Sequence, residues 1–445
     1  MRQNLLETYS RQLKVAEAYV SKNFDGKVVS ANTQLTTAVL LDNTNRFLTE
    51  SMNLDNSLVA TQRSDLGAWK KFCLNLTNIA VPSLIANDLV IVHPMTSFSG
   101  SVAYLKYVAL TDKNGMQGKE LNSVFGLGEV TAERTNYTSQ IVIEEGNTPS
   151  LAESVLENGL SYVVDGGVDV KFATYKSIMA DGTAKYGAAP EADAVKIAYV
   201  AKQFQMTTVP ANEIPTIGPK MERIPLVAEP RRIAVRYDQI TAFQAKTDYG
   251  FSLDKQIAEQ ACGELAFEID TEIVDMLYQG AKSHINAKGE PEMLTWSKTL
   301  PVGVSKFEHY NGFLETLEEA KAIIYNRTRK FHPNYMVIGS EVLPVLRFVN
   351  GFTAVKNAKM NGPYKVGEID GLDVYVSPAI GRKDFFLGLN GSDMMSSAGV
   401  YAPYMAIVPT ALLSTPDGGM AQGFSTWYAK ALLNKNLLVY GQITD

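Results

Sequence analysis

Histidines and carboxylates are the residues of this sequence that could support chemistry. Two histidines in an H-E-x-x-H pattern on a helix are a signature of a zinc site. None of the four histidines, His93, His284, His309 and His332, belongs to such a pattern. His93 and His332 each precede a proline, where the chain favours an extended loop. We therefore predict no metal site.

Four carboxylates lie close together in one stretch of the chain: Glu264, Glu268, Asp270 and Glu272. Paired carboxylates can act as general acid and general base. At these spacings along a helix they more simply form its solvated or inter-subunit face. We predict that they take no part in catalysis.

Signatures of other catalytic and cofactor sites are incomplete. Gly126 and Gly128 begin a dinucleotide-binding G-x-G, but Thr131 occupies the position of the last glycine. Gly118-Lys119 lacks the earlier glycine of a phosphate-binding loop. No grouping of nucleophile, base and oxyanion stabiliser can be assembled from the motifs. We predict no catalytic residue, no bound cofactor and no enzyme activity.

Composition excludes several further classes of protein. The 445 residues carry 41 Lys and Arg against 47 Asp and Glu, a net charge of −6, and the basic residues are scattered. This argues against a dedicated nucleic-acid binder. Cys73 and Cys262 are far apart and outside any C-x-x-C spacing, so we expect both to be reduced. The sequence has no signal-peptide core and no run of about 18 apolar residues, so we expect synthesis in a cytoplasm and no membrane association.

The N-terminal part combines one regular helix with an irregular stretch. Apolar residues three or four positions apart predict an amphipathic helix over residues 1–22: Leu5, Tyr9, Leu13, Ala16 and Val20. The Asn-rich segment 42–45 breaks the pattern that follows. Because this helix has no obvious partner in its own chain, we expect Leu5, Tyr9, Leu13 and Val20 to contact a neighbouring subunit.

Residues 100–110 are rich in β-branched and aromatic side chains and predict a strand. The residues Asp112, Lys113, Asn114 and Gly115 form a strong turn signal, so we predict a long hairpin. Residues 116–215 follow no single period, although 140–144 resemble a strand and 150–164 a helix. We expect an extended loop with an inserted subdomain.

A long helix is the most regular element of the sequence. Residues 224–246 predict a strand, and Ser252 is a potential N-cap for the helix that follows. Its apolar stripe recurs every four residues: Ile257, Ala261, Leu265, Ile269, Ile273 and Leu277. About 30 residues give a rod of about 45 Å. We interpret it as a structural spine.

The C-terminal third alternates helices and strands irregularly. The patterns predict a helix near 312–329, a strand at 335–338 and a hairpin that turns at Asp370-Gly371. Four further strands are predicted at 385–389, 400–409, 424–433 and 437–443. This order favours an α+β fold rather than a doubly wound α/β sheet.

Several segments resemble the Hong Kong 97-fold major capsid proteins, in the branch of the T-even and related contractile-tailed phages. Residues 88–96, with the strand that ends at Lys106-Tyr107, resemble that branch's entry into its extended loop. Residues 227–250 resemble the return from the loop into the spine. Residues 397–404 and 423–428 resemble the closing strands of its axial domain. Together these segments cover about half of the chain, in the family's order.

The resemblance implies an arrangement of domains. They are an N-terminal arm at 1–95, an extended loop with an inserted subdomain at 96–225, a peripheral domain with the spine helix at 226–310, an axial domain at 311–435 and a C-terminal strand at 436–445. Leu48-Thr49-Glu50 resembles a prohead protease site. We expect the chain nevertheless to be retained whole.

The function that the resemblance implies is structural. The chain is expected to assemble as hexamers, with pentamers, into an icosahedral head shell that encloses phage DNA. Vertex, portal, scaffold and decoration proteins are the implied partners, contact with DNA is non-specific, and assembly takes place in the host bacterial cytoplasm. Two alternatives keep the fold, a pentameric vertex paralogue and an encapsulin-like compartment. A third is an enzyme with an unrecognised site.

Overall fold

The computed structural model describes most of the chain outside its middle region. The described residues are 2–23, 29–54, 81–82, 84–110, 140–145, 160–165, 169–174, 176–179, 184–186, 194–201, 216–248, 250, 253–285, 292–328, 330–355, 362–410, 413–414 and 419–444. Within them, no helix has both the length and the apolar character needed to cross a membrane.

The α-helices of these residues are α1 (Arg2–Thr8), α2 (Ser10–Asn23), α3 (Ala31–Leu54), α4 (Ala86–Leu89), α5 (Gln239–Asp248), α6 (Leu253–Lys282), α7 (Lys306–Asn311), α8 (Phe313–Thr328) and α9 (Leu343–Leu346). Short 3-10 turns span Met394–Ser396 and Lys435–Leu437. We refer to α6 as the spine helix.

The strands are β1 (Ile91–Val92), β2 (Ser99–Ala109), β3 (Gln140–Glu145), β4 (Leu160–Asp165), β5 (Asp169–Thr174), β6 (Lys176–Met179), β7 (Ala184–Tyr186), β8 (Ala194–Ala201), β9 (Ile217–Val227), β10 (Glu229–Asp238), β11 (Met293–Ser297), β12 (Tyr335–Ile338), β13 (Thr353–Ala354), β14 (Tyr364–Ile369), β15 (Leu372–Val376), β16 (Asp384–Gly388), β17 (Gly399–Pro409), β18 (Leu413–Ser414), β19 (Gly419–Leu432) and β20 (Val439–Thr444).

The chain divides into two compact units, of which the second is Leu105–Glu222. In this unit β3, β8, β6 and β7 form an antiparallel sheet in that order, and β4 pairs with β5. The helix predicted over 150–164 is wrong at its end, because Leu160–Asp165 is a strand. Tyr162, Val163 and Val164 favour this conformation, and β5 supplies the partner.

The partner of β2 is distant in sequence. The predicted strand is present, but in the described residues it pairs with β9 as a two-stranded sheet. The predicted turn at Asp112–Gly115 lies outside the described residues. A local turn signal therefore did not identify the strand that pairs with β2.

A five-stranded sheet forms one half of the other unit, which comprises Met1–Tyr104 and Arg223–Asp445. Its order is β1, β17, β19 and β10, with β18 paired to β19. Phe424 packs against the spine helix, whereas Trp427 packs with Leu48 of α3. Because alternate residues of a strand point to opposite faces, the two helices cover opposite faces of this sheet.

A seven-stranded sheet forms the other half of the same unit, in the order β11, β20, β16, β12, β15, β14 and β13. Helix α8 buries Phe313 and Leu317 in its core beside Met336 and Phe385. The C-terminal strand β20 lies between β11 and β16, inside the sheet.

The sheets do not follow the predicted division at residues 310 and 435. Strands β17 and β19 pair with β1 and β10 rather than with the strands of 311–388. Strand β20, which we predicted as a separate C-terminal strand, pairs with β16. It therefore belongs to the sheet that is formed mainly by the strands of 311–388. Sheet membership is set by pairing between distant strands, which sequence order does not reveal.

Helix α3 corrects an expectation about the N-terminal arm. It runs unbroken through residues 42–45, where we predicted an interruption. Asn43 is buried in this helix, and its Nδ2 donates to the carbonyls of Met95 and Tyr404, both at 2.8 Å. The asparagine is tolerated in the helix because its amide bonds to other segments rather than to its own backbone.

Candidate functional site

The spine helix buries the stripe that the sequence predicted as structural. Ala261, Leu265, Ile269, Ile273 and Leu277 are buried, and Ile257 is half-buried. Its first half packs on Ile407 and Phe424 of the five-stranded sheet. Cys262 lies in the same core, and Cys73 lies outside the described residues.

Asp270 holds the spine helix to the segment before β1. The residue is only 7% exposed, and its carboxylate accepts hydrogen bonds from the backbone N–H groups of Ile85 and Ala86 at 3.2 and 3.0 Å. These groups lie at the start of α4, where helix N–H groups lack partners of their own. The expectation of a solvated or inter-subunit carboxylate is therefore wrong for Asp270.

Glu272 is the centre of a polar clamp between the spine helix and the five-stranded sheet. Arg231 donates from Nε and Nη2 to its two carboxylate oxygens at 3.0 and 3.2 Å. The Tyr428 hydroxyl and the Lys430 ammonium donate to Oε2 at 2.9 and 2.8 Å. We call these four residues the Glu272 clamp.

The clamp holds Glu272 in its charged form. Burial acts to raise the pKa of Glu272, but hydrogen bonds from Arg231, Lys430 and Tyr428 outweigh it and lower the pKa to about 2. The hydrogen bond to Glu272 raises the pKa of Arg231 above its ordinary value. The other two predicted carboxylates, Glu264 and Glu268, are exposed.

A buried tyrosine joins the end of the spine helix to the seven-stranded sheet. The Tyr278 hydroxyl donates to Oδ2 of Asp384 at 2.6 Å, and Asp384 is 6% exposed. The Tyr440 ring lies 5.8 Å from that of Tyr278. Burial raises the pKa of Tyr440 to about 12. With the Glu272 clamp, this contact fixes the spine helix to both sheets.

The histidines occupy structural positions. His309 stacks on Trp296 with ring centroids 4.9 Å apart, and His332 stacks on Tyr325 at 5.0 Å. The backbone N–H of His93 donates to the carbonyl of Tyr401. In the part of the chain that the structure describes, no group of three His, Cys, Asp or Glu side chains could hold a metal ion.

His284 follows the spine helix and lies in a polar cluster. Its Nε2 is 2.9 Å from Oδ1 of Asn436, and its Nδ1 is 3.6 Å from Oε2 of Glu292. Burial, and next the Arg327 guanidinium, lower the pKa of His284. The ring therefore stays neutral near pH 7.

The apolar face of the first two helices has a partner within its own chain. Tyr9, Leu13 and Val20 are buried and Leu5 is half-buried. The Tyr9 hydroxyl donates to Oδ1 of Asp42 in α3 at 3.2 Å. The expectation that this face lacks an intrachain partner is wrong, because α3, a helix that the sequence did not predict, packs against it.

The exposed apolar side chains of the described residues include two groups that the sequence did not single out. One is α5, where Ile240 and Phe243 are 65% and 69% exposed. The other is the loop between β11 and α7, where Val302 is fully exposed. The sequence predicted residues 224–246 as a strand, which is wrong from residue 239 onward, because Gln239–Asp248 is helix α5. The alternation on which that prediction rested ends with β10 at Asp238.

Comparison with known proteins identifies the chain. Residues 66–443 match the family model of major capsid protein Gp23. The chain belongs to this family. Relatives include the major capsid protein of Enterobacteria phage T6, 23% identical over 393 residues that cover 80% of this chain and 76% of the relative. The major capsid protein of Enterobacteria phage T4 is 23% identical over 402 residues, which cover 80% of this chain and 73% of the relative.

A solved structure, the asymmetric unit of the mature capsid of bacteriophage PhiM1, covers 53% of this chain and 78% of its own at 10% identity. Its TM-score is 0.37, too low for the superposition to support a detailed comparison. The Gp23 family, with the helices and sheets described above, confirms the predicted α+β capsid fold. The chain is a structural protein of a phage head shell and not an enzyme, as predicted.

Proposed function

We propose that this chain is the principal subunit of an icosahedral head shell, joined as hexamers and, at the vertices, as pentamers. The observation that carries the proposal is the match of residues 66–443 to the Gp23 major capsid protein family. Such a shell needs a subunit that stays rigid while neighbours are added around it. The Glu272 clamp and the Tyr278–Asp384 hydrogen bond support that rigidity, because both join the spine helix to a sheet.

Exposed apolar side chains also support repeated contacts between copies. Phe243 and Val302 are large apolar residues that a lone soluble chain would leave in water. Exposed apolar patches are typical of association surfaces. In the proposed shell, neighbouring copies cover them.

The middle of the chain is proposed to act as an inter-subunit strap. Its basis is the turn signal at Asp112, Lys113, Asn114 and Gly115, which favours a projecting hairpin tip. The extended loop at 96–225 would then reach a neighbouring copy, which makes it important for assembly rather than for folding.

The proposed shell encloses phage DNA without recognising its sequence. The net charge of −6, together with the exposed Glu264 and Glu268, disfavours tight contact with phosphates. Vertex, portal, scaffold and decoration proteins complete the proposed head, which assembles in the host bacterial cytoplasm.

Negative-stain microscopy of the expressed protein, with copy-number measurement in purified phage heads, tests this function. Regular shells, tubes or polyheads and a dominant copy number are expected. A scarce copy number would identify a vertex protein instead, and particles filled with protein cargo would identify a compartment. Persistent monomers would refute the shell function.

A further inference from the structure

An ordered apolar loop projects between β11 and α7. Four exposed side chains lie in this loop and in the first turn of α7: Leu300, Val302, Val304 and Phe307 are 44%, 105%, 37% and 51% exposed. Phe348 is 49% exposed and adjoins them, because the Lys306 ammonium lies 5.7 Å from its ring. We call these five residues the 300–307 knob.

Hydrogen bonds hold the knob in this exposed arrangement. The N–H of Lys298 donates to the Thr444 carbonyl at 2.8 Å, which fixes the start of the loop to β20. Ser305 and Glu308 form a reciprocal capping box at the start of α7, which fixes its end. Gly303 has a φ of 90°, a conformation that other residues rarely adopt. The exposure is therefore a property of the fold rather than of a loose loop.

A second apolar surface lies on α5 of the same compact unit. Ile240 and Phe243, three residues apart, share one face of this helix and are about two-thirds exposed. Ala245 is the buried side chain of the helix. Helix α5 also contacts β10 and the spine helix. Its exposed face is therefore an apolar surface available to a partner.

The charges of the two surfaces are complementary. Residues 298–307 contain two lysines, Lys298 and Lys306, and no carboxylate. Residues 238–248 contain Asp238 and Asp248 at the ends of α5 against the single Lys246. One surface is therefore basic and the other slightly acidic, which favours contact between them over contact of either with itself.

We propose that the 300–307 knob of one copy packs against α5 of a second copy of this chain. The inference rests on the proposed shell function. Contact between two different surfaces repeats from copy to copy and can close into rings, whereas a self-paired surface ends at a dimer. The knob offers roughly 400 Å² of apolar surface, about half of what each partner buries in a stable complex. The contact is thus weak in a pair and effective in a closed ring.

Cysteine cross-linking in assembled particles tests the contact. In a Cys73→Ser, Cys262→Ala background, the double variant V302C with F243C is oxidised and run on a non-reducing gel. The expected result is a ladder of dimers, trimers and larger products, because each copy carries one cysteine on each surface. The two single-cysteine variants should remain monomeric. A dimer from V302C alone would overturn the proposal by showing that the knob pairs with itself.

A second measurement avoids dependence on the cysteines. Replacing Val302 and Phe307 by serine should reduce the assembled fraction about tenfold and leave the thermal unfolding midpoint unchanged. Val15→Ser, at a valine that is 53% exposed on α2, is the matched control and should assemble normally. If particles form normally but the double-cysteine variant gives no cross-linked ladder, the contact is overturned and the shell function is not. If the unaltered chain makes no particles, the shell function fails and the contact with it.

Discussion

Replacing Glu272 by glutamine tests whether the Glu272 clamp stabilises the fold. The change keeps the size of the side chain but leaves the Arg231 guanidinium and the Lys430 ammonium without their carboxylate. A lowering of the pKa from 4.5 to about 2 corresponds to at most about 3 kcal/mol. The Glu272 side chain is 30% exposed, so solvent screening reduces this. We expect Glu272→Gln to lower the free energy of unfolding by about 2 kcal/mol at pH 7.

The pH dependence follows from the direction of the shift. Because folding lowers the pKa of Glu272, the folded state releases its proton more readily than the unfolded state. The stabilisation is fully present above about pH 4.5 and is lost as the pH falls towards 2. Glu272→Gln should remove this contribution and flatten the stability profile within that window.

Urea unfolding, followed by tryptophan fluorescence between pH 2 and 7, measures both effects. Glu264→Gln is the matched control, since Glu264 lies exposed on the same helix. The control should lower the free energy of unfolding by less than about 0.5 kcal/mol. Equal losses in the two variants, or an unchanged acid profile in Glu272→Gln, would refute the clamp.

Four further predictions concern folding, assembly and processing. Leu265→Asp buries an unpaired carboxylate at a position 1% exposed, which should cost several kcal/mol and abolish soluble folded protein; a folded, assembling variant would show that the spine is not core. Asn43→Ala leaves two carbonyls without their donor, and urea unfolding should show a loss of about 2–4 kcal/mol. Deletion of Asp112–Gly115 should keep a cooperative thermal transition but remove closed shells; normal shells in electron micrographs would contradict the strap. A glutamate-specific protease should leave the folded chain intact after Glu50, because α3 holds that peptide in a helix, and intact mass would reveal any cut.

Local elements were predictable where one physical preference dominates. The spine helix, the strand at Tyr335–Ile338 and the turn at Asp370-Gly371 were predicted close to their observed positions. Asp370 and Gly371 have φ values of 46° and 75°, which an Asp-Gly pair accommodates. Each of these patterns is satisfied within a few residues or along one face, so no distant partner is needed to recognise it.

The polar contacts were not predictable, since their partners are distant in sequence. Asp270 and Glu272 are two residues apart, yet one bonds to backbone at residues 85–86 and the other to Arg231. Asn43 was read as an interruption because its partners, Met95 and Tyr404, are 52 and 361 residues away. An exposed carboxylate and a buried, paired one have the same signature in a sequence.

By itself the sequence determined the α+β class and the spine helix. It also determined the structural role in a phage head, because several of its segments resemble the capsid family and occur in the family's order. Only the tertiary structure decided which strands share a sheet, that α3 covers the first two helices, and which carboxylates stabilise the fold. The physical reason is the separation along the chain over which each interaction acts. Helical and strand periods arise from the backbone over a few residues, whereas pairing and burial depend on which distant segments meet and exclude water.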